Sequence, residues 1–561
     1  MTKIRFSVNI FLRSRSVYLS VFKIVFQFVT AASLIVSCSS TNESGVLDLK
    51  VPSWYVRSHI AFLADDKLKG RMPGTLEYQM AIDYVIKQLK LIGIESAGEN
   101  SSYLQTVKIR KGVIDETSSR LTVIDGSDKR DLVTGDDYIF FGDLNTPKSY
   151  AMAGVVFVGY GIDAPHLKYN DYMDMNVHGK IIMVMTGAPK SFPSTELAHF
   201  SSYSTKFKSA IDHGAVGIIL VSPDDEYHRI IKGYRFQGNH GIVAPNGESF
   251  GRTVFGHDLR FAAIMSKTAA TKIFLQDTDQ FWSGYKNKTV SGSLRVSVSA
   301  STVTLYTEFT SYNVIGRLNG SDAKLKNEYL IYSAHLDHLG IGEPVKGDSI
   351  YNGAHDNASG VSCVLEIARL FSQQKVKPKR TVIFLMTTGE EMGLLGSDYF
   401  TRYPTVPIEN IVANINIDMP TFISPLLSIE PIGAEHSSLI NNVREAAGRL
   451  NLEIRPDHAP ELVRFIRSDQ YNFVRIGIPA LHIKYGLKGQ DSLFQLDSAF
   501  HDFMTKVYHK PNDELNDHFD FRAAEIYIKL NFLIGNSVSQ DVKRPYWNKG
   551  DFFETPVWKK Q

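Results

Sequence analysis

Four short runs place histidines and acids where they could hold metal ions and move protons. They are Ala334-His335-Leu336-Asp337-His338, Gly353-Ala-His-Asp356-Asn357-Ala-Ser-Gly360, Gly389-Glu390-Glu391-Met-Gly-Leu-Leu-Gly396-Ser397, and Asn416-Ile-Asp418-Met419. All but the second directly follow an apolar run. His335 and Asp337 are two apart and share a face if the strand continues. An acid beside an imidazole can fix its tautomer, which suits a metal ligand. Asp356 opens an expected helix, where an N-cap role is the bland reading. Glu390 and Glu391 resist a structural explanation, because adjacent acids at a buried sheet edge repel each other and lose hydration. A cation removes that cost. One glutamate can bind it while its neighbour handles a proton. Asp418, at the end of another apolar strand, carries the same desolvation penalty.

The elements around these runs are legible. TSYNVIGRL, EYLIYSAH, RTVIFLMTT and IVANINIDM, all beyond residue 300, are apolar and β-rich, and VSCVLEIARLF is the first helix between them. Strands apolar on both faces and separated by helices predict an α/β fold with a mixed, largely parallel sheet sandwiched by helices. Ligands of such sheets bind beyond the strands' carboxyl ends, where these acids and histidines collect. Earlier, Met80, Tyr84, Val85 and Leu89 repeat at helical spacing before Gly93, a natural C-cap. Between about 102 and 222 strand-like runs alternate with small helices.

The chain has 561 residues, long enough for two or three domains, and a net charge of +2, which gives no bulk signal for nucleic acid. It contains only two cysteines, Cys38 and Cys363, which excludes a disulfide scaffold and a four-cysteine zinc module. Lys3, Arg5, Arg13, Arg15 and Lys23 precede or enter an apolar run, IVFQFVTAASLIV, in a stretch without acids. That is a secretory signal too short to span a bilayer comfortably. It ends Ile35-Val36-Ser37-Cys38, which resembles the lipobox of bacterial lipoproteins, with Cys38 lipidated after cleavage. The expected product is exported and tethered to a membrane, periplasmic or surface-facing, without a spanning helix.

The full motif set, with a late YHKPND, resembles the di-zinc exopeptidases of metallopeptidase clan MH, bacterial leucyl aminopeptidase type, from about residue 53 to 557. That resemblance implies two zinc ions. The first takes His335, Asp356 and Asp418; the second takes Asp356, Glu391 and His509, with Asp356 bridging. Glu390 is then the general base and acid, Asp337 the partner of His335, and Tyr508 a hold on the oxyanion. His482 and His501 rival His509, which its YHKPND setting favours. The set departs from the family pattern at Gln470, where histidine is usual, and at His355. AGVVFVGYGIDAP through VGIILVS resembles a protease-associated (PA) domain, β-rich and inserted in one branch of the family; Arg544-Pro-Tyr-Trp547-Asn-Lys-Gly550 matches that branch at the end of the chain.

The expected organisation is a signal at 1–37, a tether at 38–50, a first peptidase part at 51–140, the insert at 141–297 and the main peptidase domain at 298–561. The activity implied is removal of N-terminal residues from peptides. Alternatives are a carboxypeptidase-like enzyme, for which Arg464, Arg467 and Arg475 are candidate carboxylate anchors, and an inactive binding ectodomain like the transferrin receptor. Glutaminyl cyclisation, on a related fold, would need only one zinc.

Overall fold

The computed structural model describes residues 50–274, 292–488 and 496–555. The signal, the lipobox with Cys38 and nearly all of the tether lie outside them. Among the described residues no helix is long and apolar enough to cross a membrane.

Four parallel strands form the middle of the main sheet, in the order Thr381–Thr387, Tyr329–His335, Ile411–Asn416 and Ala480–Tyr485. Antiparallel strands extend both sides: Gly292–Leu318 pairs with Thr381–Thr387, and Ser428–Ile432 with Ala480–Tyr485. The architecture is the expected α/β one. Residues alternate between two covered faces, so each strand is buried over nearly its whole length and mostly apolar. On one face Ile315, Ile331, Ile383 and Leu385 pack with Phe400, Phe473 and Val474. On the other, Tyr332 stacks on Phe384, and Phe371 of helix Ser359–Gln373 meets Phe532 of helix Phe521–Gln540. Truncating such a side chain, Leu385→Ala for example, costs about 2–5 kcal/mol.

The helix expected before Gly93 runs Leu76–Ile92, and Gly93 caps it at φ 84°. Its buried face is Tyr78, Ala81, Ile82, Val85 and Leu89. Met80 is exposed, so the apolar stripe lies one step round from the spacing read in sequence.

A second sheet uses the first half of the 27-residue strand Gly292–Leu318, whose residues Ser297–Ser301 pair with both Arg120–Asp125 and Lys148–Phe157. The same strand then pairs Thr304–Val314 with Leu104–Ile114 of the main sheet. One continuous strand therefore belongs to both layers. Strands Arg120–Asp125 and Tyr138–Phe140 already pair within the second sheet, so that sheet begins before residue 141. A local hydrophobic pattern cannot show which sheet a strand joins.

Candidate metal centre

Register aligns the strand ends that carry the site. His335 lies opposite Thr387, and Ser333 opposite Asn416. The chain leaves each strand within a few residues of a ligand candidate. His335 is the last strand residue and is buried. Its Nδ1 pairs with the Asp337 carbonyl at 3.1 Å, which can only accept, so Nδ1 carries the proton. Nε2 is left facing Asp356 Oδ1 at 3.1 Å, Asp418 Oδ1 at 3.3 Å and Glu390 Oε2 at 4.0 Å.

Asp337 differs from its expected role. It supports His335 through its backbone carbonyl, because the strand has ended and the side chain turns away. Its carboxylate accepts the N–H groups of Glu390 (3.2 Å) and Glu391 (3.3 Å), orienting the paired glutamates instead.

Asp356 is no N-cap. It has extended backbone (φ −114°, ψ 91°) three residues before helix Ser359–Gln373. Its loop is held by two side chains whose motifs gave them no evident role. Asp513 of YHKPND accepts the N–H of His355 at 2.9 Å and of Asp356 at 3.0 Å. Asn357 accepts from Met419 N–H at 3.2 Å and donates to the Ile417 carbonyl at 3.0 Å, tying the Asp356 loop to Asp418. Gly353 turns the chain at φ +62°, where a Cβ would stand 2.1 Å from the Asp356 carbonyl oxygen and 2.6 Å from the His338 ring.

His509 Nε2 lies 3.1 Å from Asp356 Oδ2 and 3.2 Å from Glu391 Oε2. Glu391 Oε1 is taken by His338 Nδ1 at 2.7 Å, which leaves Oε2 for the centre. The second histidine of HxDH was the sequence signal for that contact. His482 instead donates Nε2 to the Asp418 carbonyl at 2.9 Å, and His501 is exposed on helix Leu496–Lys506. Tyr508 stacks on the His509 ring at 3.8 Å, and its hydroxyl oxygen accepts from Arg467 Nη2 at 3.1 Å. The two family departures point elsewhere. Gln470 joins a buried amide network with Asn416 and the Phe465 carbonyl, and His355 is stacked on Phe519 at 3.9 Å.

Burial dominates the electrostatics. Aided by Glu391, Asp418 and Asp469, it pushes Glu390 well above the usual carboxylate range, although His335 opposes it. Burial also works against ionisation of Glu391, yet His509 and His338 hold it down at about 2. For Asp418 the opposing influences are Lys484 and His335, which bring it below its ordinary value. Among the described residues no lysine or arginine side chain forms an ion pair with the carboxylates of Asp356, Glu390, Glu391 or Asp418. Converging oxygen and imidazole donors with unbalanced negative charge fit divalent cations of the zinc class. His335, Asp356 and Glu391, and separately His335, Glu390 and Asp418, bring donor atoms within 4.8 Å of one another.

Known proteins resemble the chain in fold and in part of its sequence. The fold matches the solved structure of an aminopeptidase from Aneurinibacillus sp. strain AM-1 with a TM-score of 0.50, covering 88% of this chain and 95% of that one at 18% identity. Over 152 residues the chain is 32% identical to aminopeptidase NAALADL1 of Mus musculus, 26% of this chain and 19% of that protein. Over 106 residues it is 36% identical to a "Probable zinc metalloprotease" of Pyrenophora teres f. teres, 19% of this chain and 22% of that protein. The aligned segments thus span about a fifth of these curated relatives. Residues 313–530, which contain every metal-ligand candidate named above, match the model of peptidase family M28.

Proposed function

We propose that this protein is a zinc-dependent aminopeptidase with two metal ions, cutting single residues from the free amino end of peptides. One observation carries the reading: Asp356 offers Oδ1 to the His335 side and Oδ2 to the His509 side, each at 3.1 Å from an imidazole nitrogen. A carboxylate split in this way suits a bridge between two cations. His335, Asp356 and Asp418 would hold one zinc, and Asp356, Glu391 and His509 the other. Bound there, zinc supplies Lewis acidity, making water a nucleophile at neutral pH and polarising the scissile carbonyl.

The chain's own groups do the rest. Among the described residues the Glu390 carboxylate accepts no hydrogen bond, and it lies beside the His335 imidazole at 4.0 Å, which leaves its oxygens open to take a proton. Glu390 takes the proton from the attacking water and returns it to the leaving amine. Asp337 fixes Glu390 and Glu391 through their N–H groups, so the base and the ligand beside it cannot exchange places. Arg467 donates to the Tyr508 oxygen, leaving the phenolic proton free to meet the negative charge that develops on the carbonyl oxygen.

Direction of cleavage follows from charge. The acids of the centre favour a substrate ammonium, and two of the three candidate carboxylate anchors are occupied elsewhere. Arg464 pairs with Glu430 and Asp457, and Arg475 donates to Asn472. The second sheet, in which Arg120–Asp125 and Lys148–Phe157 pair with Ser297–Ser301, supports the reading of a PA-type insert that walls the cleft. Its helix Ser194–Ser201 packs on Arg464–Ile466, and His199 pairs with Tyr471 at 2.7 Å. Export with lipid attached at Cys38 completes the proposal, and Cys38→Ser should abolish acyl labelling in cells. The deciding experiment is zinc stoichiometry combined with hydrolysis of free and N-acetylated aminoacyl substrates. Two zinc ions with cleavage of only the free series is the expected result; trimming of acetylated peptides from the C-terminus would replace the reading with the carboxypeptidase one.

A further inference from the structure

The segment before helix Leu76–Ile92 lies outside residues 313–530, yet one of its side chains reaches the back of the centre. Arg71 is 1% exposed. Its Nε donates to the Leu336 carbonyl and its Nη2 to the Gly353 carbonyl, both at 3.0 Å, while Nη1 donates to the carbonyls of Leu63 and Asn352. Leu336 separates His335 from Asp337, and Gly353 starts the turn to Asp356. One guanidinium therefore spans the two loops that deliver the first ligands.

Backbone contacts reinforce it. His338 N–H donates to the Arg71 carbonyl at 3.3 Å and Gly340 N–H to the Gly70 carbonyl at 3.1 Å. Asn352 returns the grip, donating Nδ2 to the Ala64 carbonyl at 2.9 Å and to Asp66 Oδ1 at 2.8 Å. At Gly70 (φ +70°) a Cβ would lie 2.3 Å from the Tyr351 carbonyl oxygen and 2.6 Å from that of Gly340, so the approach admits no side chain.

The partners of this guanidinium are carbonyls, so its charge is not neutralised by a direct ion pair. Burial lowers its pKa to about 10, which still leaves it protonated at neutral pH, and Asp513, Asp337, Asp356 and Glu391 are the acids that act on it. Only arginine fits this place well. Its planar fork of five donors serves several fixed acceptors at once, and it loses less hydration than an ammonium.

We infer that Arg71 is a positioning residue for the metal centre, holding the His335–Asp337 and Asn352–Asp356 loops at a fixed separation and placing a permanent positive charge behind the acids. This rests on the metal reading above. It extends the centre to a part of the chain that the family match does not include.

The test is zinc affinity of the full protein, stripped with a chelator and titrated against a chromophoric competitor, with Tm recorded in parallel. Arg71→Met keeps length but loses fork and charge, and should weaken zinc binding by about 10–100-fold, the usual cost of losing a group that orients ligands. Arg71→Lys should recover part of the affinity. Asn352→Ala cuts only the returning bonds and should weaken zinc binding less than Arg71→Met. Leu68→Ala, a buried change in the same segment, should lower Tm and leave zinc affinity unchanged. Parental affinity in both Arg71→Met and Asn352→Ala, whatever their Tm, would reduce the arginine to a structural role and overturn the inference. If Arg71→Met does not fold, Asn352→Ala decides alone. A parent protein that binds no zinc would defeat the metal reading itself, and the inference with it.

Discussion

Two clusters of histidine and acid sit on the same sheet, and their difference bears on which of them is the better candidate for a metal centre. The second cluster is Glu430, Asp457 and His458, whose donor atoms also come within 4.8 Å of one another. There Arg464 supplies the countercharge: its Nη2 lies 2.6 Å from Glu430 Oε2 and also pairs with Asp457, while His458 Nδ1 pairs with Glu430 at 2.7 Å. Its acids are satisfied from within. In the first cluster the carboxylates of Asp356, Glu390, Glu391 and Asp418 form direct ion pairs only with histidines among the described residues; Lys484 acts on Asp418 without pairing to its carboxylate, and Arg71 stands behind, bonded to carbonyls. Proximity of donors is common to both; acids without a direct arginine or lysine ion pair belong to one. That imbalance costs folding energy unless a cation arrives, since buried carboxylates unpaired in this way are expensive.

The comparison can be broken at its strongest point first. Asp356→Ala should leave at most one zinc per chain and no measurable peptidase activity, by elemental analysis and turnover assay. Two zinc ions held tightly in that variant would remove the bridge. Next, Glu390→Gln should keep the parental zinc content and lower kcat about 10²–10⁴-fold, the usual range for a lost acid–base group. A near-normal kcat would reassign the base.

The second cluster should answer differently. Glu430→Gln leaves the Arg464 charge buried with one partner fewer, and should destabilise the fold by about 3–5 kcal/mol in urea unfolding while zinc stoichiometry stays parental. Loss of zinc there would show that the clusters are not independent. His458→Ala, at an exposed histidine, should change stability by about 1 kcal/mol or less. A sharper version uses linkage: zinc at about 100 times its dissociation constant should stabilise the parent by about 2.7 kcal/mol, an increment that Glu430→Gln keeps and Asp356→Ala loses.

Much of this architecture is legible in the amino-acid sequence. The apolar strand runs predict the main sheet because strands buried on both faces leave no polar alternation to misread. Glu390-Glu391 stands out because desolvation makes adjacent buried acids improbable without a partner. Asp513 and Asn357 lie within the motifs but show no role there, and His338 is marked only by its place in HxDH, since their work is to hold backbone and ligand oxygens that only the fold brings near. Arg71 gives no signal at all: a lone arginine in a loop reads as solvated, and its acceptors are carbonyls up to 282 positions away.

By itself the sequence determined the α/β frame and pointed to the strand ends where the candidate ligands gather, because periodicity and charge are local properties. It also narrowed the candidates for the distant ligand to three histidines. Tertiary structure alone decided that His509 and not His482 faces Asp356, that Asp337 grips the glutamates and not the His335 ring, and that one strand serves two sheets. It also decided which acid cluster keeps its charge. These are matters of register and of contacts across hundreds of residues, and a linear pattern carries no information on which distant carbonyl or guanidinium will complete a group.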